Sequence, residues 1–78
     1  MFSIEVKNNI VHCDMSQDLS MISILAVDNI SIYSMKDGMQ VCSQLITEAT
    51  QSLFTADNNS VFLFTKTTIL KLRATDLE

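Results

Sequence analysis

The consecutive residues His12, Cys13 and Asp14 are the one place in the sequence where a histidine, a thiol and a carboxylate occur together. In a β-strand, neighbouring side chains point to opposite faces, so His12 and Asp14 would share one face and Cys13 would occupy the other. A structural zinc site needs four converging ligands, and the sequence contains no second cluster to supply them. We therefore predict that these residues bind no metal and that Cys13 is a small core residue beside Ile4.

Two other combinations of residues could support chemistry. Cys42 and His12 could form a nucleophilic pair, but Cys42 is expected on an apolar face, where burial raises the pKa of a thiol. Asp14 and Asp18 flank a polar loop, yet the glycine and glutamate of a calcium-binding loop are missing. We predict no catalytic residue, no cofactor and no metal ligand. The alternative is a small metal-binding protein or enzyme centred on His12, Asp14 and Asp18.

The composition points to a small acidic domain. The chain has 78 residues, 47% of them apolar, and a formal net charge of -4. We predict a single domain over residues 1–76, with residues 77–78 resembling a cloning remnant. The acidic charge disfavours nucleic acid and anionic membranes as partners, and no apolar run reaches the ~18 residues of a membrane span. Two cysteines are too few for a secreted disulfide scaffold, so we expect reduced thiols and a cytoplasmic location.

Alternating apolar and polar residues predict a hairpin at the start of the chain. Residues 2–6 alternate with a period of two, which is typical of a half-buried strand. The pair Asn8-Asn9 would form the turn, because asparagine tolerates the left-handed conformation that short hairpin loops need. This register would place Glu5 opposite His12.

Two further hairpins follow from apolar runs separated by turn residues. We expect Leu25 to lie opposite Ile32 in the second hairpin. In the third we expect Leu70 to lie opposite Leu63. The predicted strands are residues 21–27 with 30–35, and residues 61–65 with 68–74.

Between the second and third hairpins the apolar spacing changes, and it predicts an amphipathic helix over residues 39–54. Six apolar residues in this stretch fall on one side of a helical wheel, with Leu45 and Ala49 at the centre of the stripe. Asp37, three residues before Gln40, resembles a capping box. We therefore predict an α+β fold, in which this helix covers one face of a mostly antiparallel sheet.

The alternative fold is all-β, with two propeller-like blades of four strands each. The chain is twice 39 residues long, and propeller blades have about 40 residues. A shift of 39 residues places Asp18 on Asp57 and Ile22 on Val61. Apolar positions coincide under this shift about as often as chance predicts, so we rank the all-β fold second.

An excess of apolar surface suggests association with protein. One short helix cannot cover strands that are apolar on both faces. We predict a non-catalytic interaction module, either a homodimer or an adaptor or inhibitor that docks on a larger protein. The alternative is a two-blade propeller fragment or subunit that acts as a scaffold. The candidate interface residues are Met21, Leu25, Ile32, Tyr33, Met35, Phe62 and Phe64.

Overall fold

The computed structural model describes residues 3–78, and all regular structure in that range is β-strand. None of these residues lies in a helix long and apolar enough to cross a membrane. The seven strands are β1 (Ile10–Met15), β2 (Met21–Ala26), β3 (Asn29–Ser34), β4 (Gln40–Leu45), β5 (Ala49–Phe54), β6 (Ser60–Thr65) and β7 (Ile69–Arg73).

The strands form two antiparallel sheets, each a simple meander. Sheet 1 has the order β1-β2-β3-β4, and sheet 2 has the order β5-β6-β7. The predicted α+β fold is therefore wrong, and the all-β alternative describes the architecture better.

The predicted helix over residues 39–54 is two strands joined by a turn. Glu48 has a φ of 66°, a left-handed conformation that ends any regular strand or helix. Leu45, expected at the centre of a buried stripe, is 80% exposed. The helical spacing arises because β4 and β5 each contribute a few apolar residues whose positions happen to fall on one side of a wheel.

The first predicted hairpin is not formed. Residues 3–9 contain no strand, and Phe2 lies outside the described residues. The Asn8 amide instead donates a hydrogen bond to the Asp28 carboxylate at 2.8 Å. β1 pairs with β2, so His12 lies opposite Leu25 and not opposite Glu5.

The second and third hairpins are present. In the second, the turn falls one residue earlier than expected, so Leu25 pairs with Ile30 instead of Ile32. The register of the third is confirmed, because Leu63 pairs with Leu70.

The two sheets repeat one pairing pattern at an offset of 39 residues. Cys13 pairs with Ile24 in sheet 1, and Ser52 pairs with Leu63 in sheet 2. The register irregularity near the start of β1 recurs near the start of β5, and the β2–β3 ladder has the same register as the β6–β7 ladder.

The turns repeat with the same offset. Leu19 and Asn58 have φ values of 63° and 62°, while Gly38 and Leu77 have values of 75° and 58°. Such left-handed positions are uncommon for leucine, so their recurrence reflects one turn geometry used twice. In the first pair of turns, the backbone hydrogen bonds are Ser16 N to Met21 O and Thr55 N to Ser60 O, each 2.9 Å long. In the second pair, they are Gly38 N to Ser34 O at 2.9 Å and Leu77 N to Arg73 O at 2.7 Å.

The apolar core lies between the two sheets. Sheet 1 contributes Leu25 and Ile30, and sheet 2 contributes Val61 and Leu63, all of them fully buried. Leu77, which the sequence suggested was a cloning remnant, is also buried in this core with 1% of its surface exposed. The interior thus depends on the contact between sheets.

Matched leucine truncations distinguish the strands from the predicted helix. We expect Leu63→Ala to lower the free energy of unfolding by about 2–5 kcal/mol, because it leaves a cavity in the core. We expect Leu45→Ala to change it by less than about 0.5 kcal/mol, because the side chain is 80% exposed. Urea unfolding of dilute protein measures both values, and a larger loss for Leu45→Ala would contradict the strand assignment.

Candidate interaction surfaces

The polar residues of β1 hold the two sheets together. The Phe54 backbone N–H donates to the Asp14 carboxylate at 2.8 Å, and the Ser52 N–H donates to His12 Nδ1 at 3.4 Å. The hydroxyls of Ser52 and Ser23, both fully buried, lie 3.2 Å apart across the same seam. His12 and Asp14, two of the candidate chemical residues, thus join β1 to β5, and the serine pair joins β2 to β5.

The two free cysteines lie in different settings. Cys13 is exposed, so its predicted place in the core is wrong; its neighbour across the ladder is Ile24. Cys42 is half-buried, and its thiol donates to the Ala74 carbonyl at 3.4 Å. Burial, with a smaller effect from the charge of Asp76, raises the pKa of the Cys42 thiol and keeps it protonated at neutral pH.

Asp14 and Asp18 do not converge on a common point. Asp14 faces β5, while Asp18 accepts hydrogen bonds within its own turn. Within residues 3–78, no three histidine, cysteine, aspartate or glutamate side chains stand close enough to hold a metal ion.

Two equivalent turns are held by an aspartate and a hydroxyl. Asp18 accepts hydrogen bonds from the Ser20 and Ser16 hydroxyls at 2.6 and 2.7 Å. Asp57, 39 residues later, accepts from the Thr55 hydroxyl in the same way. These bonds favour the ionised carboxylates and lower the pKa of both Asp18 and Asp57.

The far face of sheet 2, turned away from sheet 1, carries an open apolar cluster, with Gln51 and Lys71 beside it on the same face. Val61 and Leu63 of β6 face the core, so Phe62 and Phe64 must point to the other side, where they are half-buried. We define face A as Leu53, Phe62, Phe64 and Ile69, because Leu53 pairs with Phe62 and Ile69 pairs with Phe64. Ile69 is 63% exposed, and Leu53 is 37% exposed.

The far face of sheet 1 is also apolar, but the start of the chain lies across part of it. Leu25 faces the core, so its neighbour Ile24 belongs to the far face, together with Ile22. We define face B as Met15, Ile22, Ile24 and Tyr33, in which Ile22 pairs with both Met15 and Tyr33. Ile24 is already buried, with 5% of its surface exposed. Residues 5–8 stand over the β3–β4 side of this sheet and leave a cavity of about 330 Å³ between them and the strands.

The candidate interface residues fall into two groups. Leu25 and Ile32 are fully buried in the core and have no surface left for a partner. Met21, Tyr33, Met35, Phe62 and Phe64 are half-buried. Leu53 and Ile69, the cross-strand neighbours of these phenylalanines, were not among the candidates. Leu53 lies in β5, which was predicted as helix, whereas Ile69 lies in a segment that was correctly predicted as a strand.

Removing the carboxylate of Asp14 tests the connection between the sheets. We expect Asp14→Ala to lower the free energy of unfolding by about 1–3 kcal/mol, because the Phe54 N–H loses a charged acceptor. Cys13→Ala, a truncation of the exposed neighbour, should change it by less than about 0.5 kcal/mol. Urea unfolding measures both. Equal losses would show that Asp14 does not hold β5.

The turn aspartates predict a specific loss of stability in acid. Because folding lowers the pKa of Asp18 and Asp57 from 3.8, their stabilisation is complete above that value and is lost as the pH falls through the folded pKa. The double variant Asp18→Asn with Asp57→Asn should therefore lose less stability than the wild type between about pH 5 and pH 2. Thermal melting across this range measures the difference.

A matched control neutralises two exposed carboxylates outside these turns, Glu5 and Glu48, by substitution with glutamine. We expect this control to follow the acid dependence of the wild type. If the Asp18 and Asp57 double variant also runs parallel to the wild type, the turns do not stabilise the fold through their charge.

Comparison with known proteins agrees with the repeated sheets. No protein-family model matches the chain. No curated protein matches it significantly. Among solved structures, the chain resembles Hsv2 from Kluyveromyces marxianus (TM-score 0.74, 16% identity) and Hsv2 from Kluyveromyces lactis (TM-score 0.74, 17% identity). Each match covers 87% of this chain but only 22% of the Hsv2 chain. Hsv2 is a β-propeller, so the likeness shows a propeller-like all-β fold.

Proposed function

We propose that the chain is a pair of β-propeller blades that acts as a non-catalytic scaffold and contacts protein through its open blade faces. A propeller stacks its blades around a central channel, so each blade has a neighbour on both faces. In this chain the two sheets cover each other's near faces, and the far face of each sheet has no neighbouring sheet among the described residues. Faces A and B are the two surfaces that a further blade or another protein would cover.

The observation that supports this proposal is the 39-residue repeat combined with the apolar character of face A. Phe62 and Phe64 occupy the far side of the strand whose near side, Val61 and Leu63, forms the inter-sheet core. A strand with large apolar residues on both sides is typical of a sheet covered on both faces. Open apolar surface of this kind marks protein contact sites.

The chemistry of the polar residues favours a scaffold over an enzyme. His12 and Asp14 accept hydrogen bonds from the backbone of β5, and Asp18 is engaged within its own turn. These contacts account for all three residues of the alternative metal or catalytic site. We also propose a cytoplasmic location, because Cys13 and Cys42 are free thiols and thiols stay reduced in the cytoplasm.

A photo-crosslinking amino acid at position 64 tests the scaffold function. With the crosslinker in place of Phe64, irradiation of cells producing the full chain should yield covalent adducts with protein, either this chain or another. Mass spectrometry then identifies the adduct. Adding Phe62→Asp should reduce the yield at least tenfold, because it places a charge in the centre of face A.

The matched control places the crosslinker at Lys36, an exposed turn residue outside both faces. We expect few adducts from that position. A yield from position 64 no higher than from position 36 would reject face A as a protein contact surface, and with it the proposed function.

A further inference from the structure

We infer that the outer edge of β4 is a dimerisation edge, where β4 of a second copy of this chain pairs antiparallel about a two-fold axis at Ser43. β4 lies inside the chain, between β3 and β5. None of its residues belongs to face A or face B, so the inference goes beyond the proposed function.

The first observation is the exposure of β4. Among the described residues it pairs with β3 along one edge and with no strand along the other. Five of its six residues are exposed, and Cys42 is half-buried. Two of the exposed side chains are apolar, because Val41 has 45% and Leu45 has 80% of its surface in solvent. The edge is thus open to a partner in both its backbone and its side chains.

The second observation is the direction of the backbone groups of β4. In an antiparallel ladder, every second residue directs its N–H and C=O groups to the same neighbouring strand. The Ile46 N–H donates to the Asp28 carbonyl at 3.0 Å, so Ile46 and, two residues earlier, Gln44 face β3. Ser43 and Leu45 therefore direct their backbone groups away from β3, where an added strand can bind them.

The third observation is that β4 carries few of the features that keep an edge strand unpaired. Such strands usually contain lysine, proline or a bulge. Residues 39–47 contain no charged residue and no proline. The ladder has one irregularity, at Val41, where the pairing shifts between Ile32 and Tyr33. It lies near the start of the strand and leaves residues 42–45 in regular pairing with β3.

The sequence of β4 is self-complementary about Ser43. An axis at this residue places Ser43 opposite Ser43 of a second copy, and Leu45 opposite Val41 of a second copy. Cross-strand pairs of this kind, polar with polar and apolar with apolar, stabilise a sheet, and no like charges meet.

Shifted registers match the side chains of β4 less well. Moving the axis by one residue toward the end of the strand places Leu45 opposite Ser43 of the second copy. Moving it by one residue toward the start places Leu45 opposite Met39, which lies outside β4. An axis farther toward either end pairs less of the strand. The side chains thus favour the axis at Ser43 as the occupant's register.

Sedimentation equilibrium of the full chain tests the dimer. A contact made by one short strand is small, in the class of weak interfaces below about 1,200 Å² in total. The mass should therefore rise with concentration from 8.7 kDa toward twice that value. A chain whose mass stays at 8.7 kDa up to about 500 µM overturns the inference.

Two substitutions at one position separate backbone pairing from other kinds of association. Ser43→Pro removes an N–H that faces solvent in the monomer, so the ladder with β3 is kept, as proline on an edge strand allows. It also removes both central hydrogen bonds of the dimer, and we expect the dissociation constant to rise at least about tenfold. The matched control, Ser43→Ala, keeps the N–H and should dimerise like the wild type. Equal dimerisation of the two variants means that association uses another surface, and it overturns the inference.

A disulfide tests the register without a proline in the strand. In a chain with Cys13→Ser and Cys42→Ala, Ser43→Cys should form intermolecular disulfides under mild oxidation. The axis brings the two Cα atoms of position 43 to about 5.5 Å, within the range that a disulfide spans.

The matched control is Leu45→Cys in the same background, a more exposed position on the same strand. Position 45 lies opposite position 41, so its two copies are four residues apart, about 13 Å along the strand, and beyond the reach of a disulfide. We expect Ser43→Cys to crosslink at least tenfold more than Leu45→Cys on non-reducing electrophoresis. Equal crosslinking, or more from position 45, rejects the axis at Ser43 and overturns the inference.

Discussion

The structure depends on the contact between two sheets that each have two apolar faces. A strand with large apolar residues on both sides is typical of a sheet that is covered on both faces. In this chain the near sides meet, and Leu25, Ile30, Val61 and Leu63 become fully buried. The far sides cannot meet within the same pair of sheets. The requirement that organises the core therefore also creates faces A and B.

Polar groups decide how the two sheets are placed against each other. Apolar packing is non-directional. It brings the two sheets together, but it does not by itself determine the position of β1 relative to β5. The hydrogen bonds from Phe54 N to Asp14 and from Ser52 N to His12 supply that direction. A buried serine pair adds a third polar contact at the same seam. The histidine and carboxylate that look like a chemical site in the sequence thus have a structural role.

Local features predicted two of the three hairpins, one of them with its register, and predicted the overall fold poorly. Alternation identified the third hairpin with its register, because Val61 and Leu63 mark the buried side clearly. The helix over residues 39–54 was wrong because two short strands joined at Glu48 imitate helical spacing. The 39-residue repeat was considered but ranked second, because apolar coincidence is uninformative in a sequence that is 47% apolar. Apolar residues of similar size can replace one another in a core, so equivalent core positions in the two sheets need not carry the same residue. The repeat is therefore only weakly visible in the core sequence.

The repeat is more visible in the turn sequences, because fewer residue types can form the hydrogen bonds that close these turns. A serine or threonine followed two residues later by aspartate supplies both the acceptor and the hydroxyl that close such a turn. This pattern occurs at Ser16 with Asp18 and again at Thr55 with Asp57. The backbone geometry beyond each aspartate is the same even though leucine stands at one position and asparagine at the other. In this chain, the polar turn residues at a constant spacing of 39 therefore identify the repeat of the two sheets, whereas the apolar positions do not.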